Sequence, residues 1–186
     1  MVTTTLQEQD SIQIIPNATW QQYEKLEADG LISYIDNEII VVAPGLNHER
    51  IADIIRFIMI FYCDAENLPM FTFNSYRLKK EGLQGKEPDV AYAFGEDKAI
   101  PDIAAEVNFT SGSVKDLTKY FALDIPEVWI WQNQEVKFFA LVEDDYQQIQ
   151  ESKILPRIAA EQVTAFSLRL EESPLFLARE FVQSLS

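Results

Sequence analysis

One cysteine, one histidine and fifteen basic residues are what this 186-residue chain has least of, and each scarcity closes off a class of function. Cys63 has no partner for an internal disulfide. It falls among Phe57, Ile58, Ile60, Phe61 and Tyr62, the setting of a buried, inert thiol rather than a nucleophile. With a single His and a single Cys, zinc sites built from several such ligands are excluded, and a Ser-His nucleophile system would have to use His48. The six glycines are scattered and form neither a P-loop nor a dinucleotide pattern. No apolar run approaches a membrane span, and Met1 to Asp10 lacks the basic and apolar regions of a signal peptide, so the expectation is a cytoplasmic protein with no membrane partner. Fifteen Lys and Arg against thirty Asp and Glu give a net charge of −15, which argues against a large non-specific nucleic-acid surface.

What basic charge there is clusters. Arg77, Lys79, Lys80 and Lys86 lie within ten residues. Such a patch can hold substrate phosphate where the average charge would not, with Arg77, Lys79 and Lys80 as contacts. It can equally be a solvated hairpin.

A composition of 47% hydrophobic and 24% charged residues is that of an ordered chain, read as one domain over 1–186 behind a polar extension, 1–18. Thr19-Trp20-Gln21-Gln22 has the form of a capping box for a short helix ending near Asp29-Gly30. Strands over 31–35 and 38–42 flank a turn at Asp36-Asn37. Asn47 reads as the cap of a long helix over 48–66, with Ile51, Ile54, Ile55, Ile58, Met59 and Tyr62 on one face. Strands follow over 70–76, 88–94 and 102–109, then a helix over 113–123 with Val114, Leu117, Tyr120 and Phe121 inward. Strands over 127–131 and 135–142 come next, and a terminal helix over 174–184, within the carboxy-terminal segment 174–186. Strand, helix, strand in that order predicts a parallel crossover, hence an α/β fold with a mixed sheet.

The pattern that carries chemistry is Glu87-Pro88-Asp89 followed, seventeen positions after Asp89, by Glu106 within Ile103-Ala104-Ala105-Glu106-Val107-Asn108-Phe109. Acidic side chains seldom sit in apolar strands unless a charge compensates them. A divalent cation does so: carboxylate oxygens suit Mg²⁺ or Mn²⁺ and leave room for water and a phosphate oxygen. Strand parity puts Glu87 and Asp89 on one face, where Glu106 can meet them. Solvated carboxylates at strand ends are the other reading.

These residues, with Thr110-Ser111-Gly112, Ile125-Pro126-Glu127-Val128-Trp129-Ile130-Trp131, and the approach from Trp20 through Pro44 to His48-Glu49, resemble the Uma2 (DUF820) family. That family is abundant in cyanobacteria and assigned to the PD-(D/E)XK nuclease superfamily. The likeness spans about 19–160 and implies a restriction-endonuclease-like core, a mixed sheet flanked by helices. It also implies Asp89 and Glu106 as metal ligands, with Glu49 as a further acid and His48 as an accessory, and strand parity adds Glu87 to the ligand set. Glu49 can instead complement a positive helix end while His48 packs against a loop. The family's lysine, which orients the attacking water, maps to Asp116, flanked by Lys115 and Lys119. Lys119 is three residues on, about 4.5 Å along the axis of a helix, and is the residue expected to take the role. A plain i,i+3 pair between Asp116 and Lys119 is the alternative.

Two functions follow. One is a Mg²⁺- or Mn²⁺-dependent endonuclease acting on nucleic acid, DNA for preference. The other is a non-catalytic module of the same fold with a protein-binding or regulatory role. Either is expected to form a homodimer, for which Trp129-Ile130-Trp131 offers apolar surface, or else core.

Overall fold

The structure, a computed structural model, describes residues 10–74, 76–108 and 113–185, with the backbone alone for 113–116. Its first elements are β1 (Ser11–Ile15), α1 (Trp20–Lys25), β2 (Leu31–Ile35), β3 (Glu38–Ala43), α2 (Leu46–Glu66), β4 (Met70–Thr72), β5 (Leu78–Lys80) and β6 (Gln84–Lys86). After them come β7 (Val90–Phe94), β8 (Ile103–Asn108), α3 (Ser113–Ala122), β9 (Glu127–Gln132), β10 (Glu135–Val142), β11 (Asp145–Ile149), α4 (Ala160–Ser167) and α5 (Pro174–Ser184).

The strands form two sheets. The mixed one has six strands in the order β11-β10-β9-β8-β7-β4, and β8 runs parallel to β9 through the α3 crossover. The other, β1-β3-β2-β6-β5, is antiparallel throughout and was not expected. α2 lays its predicted stripe on the mixed sheet: Ile51, Ile54, Ile55 and Ile58 pack with Ala105, Val107, Trp129 and, from α5, Leu177 and Phe181. Alternate residues of the same strands, Ala91, Ala104, Val128 and Ile130, face the other way and pack with Tyr120 of α3. Trp129, Ile130 and Trp131 are all buried, Trp129 stacked on Phe138 at 4.0 Å between ring centres. They are core and offer no surface to a second copy. Cys63 is buried too, and burial pushes its thiol up to about 12. Among the described residues no helix is long and apolar enough to cross a membrane.

Several boundaries moved for local reasons. α1 has the Thr19 capping box but stops at Lys25. The cap of α2 is Gly45, not Asn47, and Gly45 N–H donates to Asp10 Oδ1 at 2.8 Å. The strand expected over 70–76 ends at Thr72, because the Asn74 side chain takes over the edge: its Oδ1 accepts from Ala91 N–H and its Nδ2 donates to Tyr92. Phe121 is 40% exposed rather than inward. β1 lies inside the segment expected to be a polar extension, and pairs with β3.

β6 explains one glycine. A Cβ on Gly85 would lie 2.0 Å from the Tyr23 hydroxyl oxygen, and the Tyr23 ring is fully buried beside Trp20, Tyr34 and the Arg77 guanidinium. The ring has nowhere to swing. Gly85→Ala should therefore cost about 1–3 kcal/mol as an overpacking change. Urea midpoints check this, and an unchanged midpoint would mean that the ring yields freely.

Candidate active site

Asp89 and Glu106 are brought together where the two sheets meet. Asp89 sits at the entry to β7 and Glu106 in the middle of β8, the strand that pairs with it through Val90↔Ala105. Both are buried. Asp89 Oδ2 accepts from the amide of Val107, the residue after Glu106, at 2.8 Å, so one acid is fastened to the other's strand.

Each carboxylate has a cation on it. Lys86, from β6, places Nζ 2.7 Å from Glu106 Oε2, and Tyr120 donates its hydroxyl to Glu106 Oε1. On the other side His48, in the first turn of α2, faces Asp89 Oδ1 through Nε2 at 3.0 Å and Asp10 Oδ2 through Nδ1 at 3.0 Å. A carboxylate 3.0 Å from each nitrogen favours the form of the imidazole that carries both protons. Burial by itself would hold the His48 pKa down, but the hydrogen bonds and charges of Asp89 and Asp10 outweigh it and raise it to about 9. At neutral pH the cluster thus holds two buried acids, an ammonium and an imidazolium, with Asp10 behind.

The other expected site residues are distributed differently. Glu87 does not share a face with Asp89. Strand parity applies only within a strand, and 87–89 is the irregular passage from β6 to β7, between the two sheets. Glu87 instead accepts from Ile32 N–H at 2.8 Å and from Arg77 Nε at 2.7 Å. Arg77 also donates to the Tyr23 and Leu26 carbonyls, so its guanidinium is tied into the fold rather than offered to phosphate. Lys79 and Lys80 are exposed, 3.5 Å from Glu24 and 3.8 Å from Asp124, along a groove of about 530 Å³ between β5 and residues 122–125. Glu49 is exposed in the first turn of α2, where it complements the positive helix end. Lys119 is buried, one residue before Tyr120. The side chains of Lys115 and Asp116, and the whole of Thr110-Ser111-Gly112, lie outside the described residues.

Sequence reasoning missed three partners. Tyr120 is core, as its helical spacing implies, and is also a partner of Glu106; Asp10 sits in a polar stretch and Lys86 in a basic run, and neither pattern points to the site. The available signal was that Lys86 immediately precedes Glu87-Pro88-Asp89.

A model of the Uma2 family, described as "Putative restriction endonuclease", matches residues 20–171. Among solved structures, the chain is similar to one described as "a putative nuclease belonging to DUF820 from Anabaena variabilis". The match has a TM-score of 0.55 at 17% identity, and covers 88% of this chain and 98% of that one. No curated protein matches the chain.

Proposed function

We infer that this chain, which belongs to the Uma2 family of restriction-endonuclease-like proteins, is a divalent-cation-dependent endonuclease acting on nucleic acid, with DNA as the substrate and Asp89 and Glu106 as its ligands to Mg²⁺ or Mn²⁺. The observation that carries this reading is the pair itself, two buried carboxylates, one in the middle of β8 and the other at the entry to β7, hydrogen-bonded to the β8 residue after the first. The donor chemistry fits a hard cation. A carboxylate has about four lone-pair sites, and the contacts of Asp89 with the Val107 amide and His48 use two of them. Among the described residues no three His, Cys, Asp or Glu side chains gather as a complete site, so water and phosphate oxygens would fill the shell. When bound, the ion supplies Lewis acidity and a lowered pKa for water.

The chain's own residues do the rest. His48 and the Val107 amide orient Asp89, while Tyr120 and Lys86 orient Glu106. In hydrolysis a water oxygen bonds to phosphorus and the bond to one sugar oxygen breaks. That oxygen leaves with the electron pair and takes up the proton that the water gives up, yielding a phosphate monoester and an alcohol. Lys79 and Lys80, on the exposed hairpin, are the contacts proposed for flanking phosphates, and a homodimer is the assembly retained.

The test is thermal melting against Mn²⁺ concentration, beside cleavage of single- and double-stranded DNA. The melting temperature of wild type should climb with Mn²⁺ by mass action, and Asp89→Ala should remove most of the climb. An equal climb in the variant would mean that the ion binds elsewhere. One observation favours the non-catalytic alternative: Lys86 and His48 already compensate both acids. Wild type that neither binds Mn²⁺ nor cuts DNA would select it.

A further inference from the structure

We infer that Lys86 is the resident cation of the reacting site. It holds Glu106 in place while no divalent ion is bound, and once one is, its ammonium serves the phosphate oxygens of the substrate. This rests on the nuclease reading above.

Four observations carry it. The ammonium lies 2.7 Å from Glu106 Oε2, with side-chain exposures of 8% and 3%, so the pair is desolvated rather than a surface contact. Lys86 belongs to the five-stranded sheet, paired with Ser33 and Leu78, and Glu106 to the six-stranded one, so the contact spans the junction where Asp89 also sits. Lys86 and Asp89 are three residues apart with Pro88 between them, so the same stretch of backbone delivers the cation and the other acid. Finally, Tyr120 holds the second oxygen of Glu106. Glu106 therefore keeps an orienting partner when Lys86 lets go.

Lysine suits such a role. Its ammonium is a compact charge on a flexible four-carbon stem, free to shift between acceptors, whereas arginine would lock onto the carboxylate with a planar fork. An ammonium and a divalent ion both attracted to one carboxylate must also compete, and removing one tightens the other.

Mn²⁺ affinity measured by titration calorimetry is the first readout and turnover on DNA the second. Lys86→Met should bind Mn²⁺ roughly tenfold more tightly than wild type, an adjacent charge being worth about one pKa unit or more. Its turnover should fall about a hundredfold, the scale of one transition-state donor. Lys137→Met removes the same charge from an exposed pair with Glu135 and should change neither readout. Lys86→Arg should bind Mn²⁺ no more tightly than wild type and lose at least about tenfold in turnover, which carries the test should Lys86→Met not fold. Unchanged affinity in Lys86→Met, wild-type turnover in Lys86→Arg, or a greater turnover loss in Lys119→Met than in Lys86→Met would each overturn the inference. Equal Mn²⁺ binding by wild type and Lys86→Met would sink this inference alone. No Mn²⁺ binding by either would sink the nuclease reading and this inference with it.

Discussion

In the presence of a chelator, Lys86→Met and Glu106→Leu should each lower the unfolding free energy by about 3–5 kcal/mol, the cost of stranding one member of a buried ion pair. The double variant should recover most of that loss. Both side chains are buried, so each single change leaves a charge without its nearest compensation and without water. The apolar pair carries no such penalty, and buried ion pairs replaced by apolar residues of similar size are often neutral. Tyr120 loses its acceptor in both Glu106→Leu and the double variant, so that contribution cancels in the comparison of the two. Urea denaturation of the four proteins gives the coupling directly. Additive losses would mean that water reaches the pair and that its burial is not felt. Added Mn²⁺ should restabilise Lys86→Met far more than Glu106→Leu, since only the former keeps both acids.

The sequence revealed most where neighbours in the chain are neighbours in space. The α2 stripe, the apolar strands β7 to β10 and the hairpin at Asp36-Asn37, where both residues have positive φ, follow from local periodicity and turn chemistry. Asp89 and Glu106 stand out because an acid in an apolar run is unusual, and the structure has Glu106 in β8 and Asp89 at the entry to β7, the strand beside it. What stayed hidden depends on contacts between distant segments. β6, Gln84-Gly85-Lys86, has no β-branched residue and one charge, yet all three residues are buried, because the Tyr23 ring fills the space over Gly85 and Glu106 meets Lys86. β1 leaves Ile12 and Ile14 at 45% and 55% exposure, so it is held by its ladder with β3 and shows no buried face to read. Strand parity would put Glu87 beside Asp89 only if the strand ran through Pro88. The chain instead changes sheets there, and Glu87 pairs with Arg77.

Metal-free protein should lose stability as pH rises from about 6.5 to about 9, and His48 is the reason. Its pKa is about 9 in the folded chain and 6.5 when unperturbed, so the folded state binds a proton more tightly than the unfolded one. The stabilisation is therefore fully present below about 6.5, declines across the window and is gone above the folded value. A rise from 6.5 to about 9 corresponds to about 3 kcal/mol. His48→Gln should be less stable at pH 6 and should show a nearly flat profile where wild type slopes. Asp10→Asn, which removes one of the two carboxylates holding the imidazolium, should give an intermediate slope. Cys63 adds a separate decline at higher pH: burial favours its neutral thiol, so the folded chain is penalised only as the unfolded thiol ionises, from about 9 upward. Urea midpoints at half-unit steps from pH 5.5 to 10, with chelator present throughout, resolve the two windows. A wild-type profile as flat between pH 6.5 and 9 as that of His48→Gln would mean that His48 is neutral at neutral pH, and that Asp89 draws no charge from it.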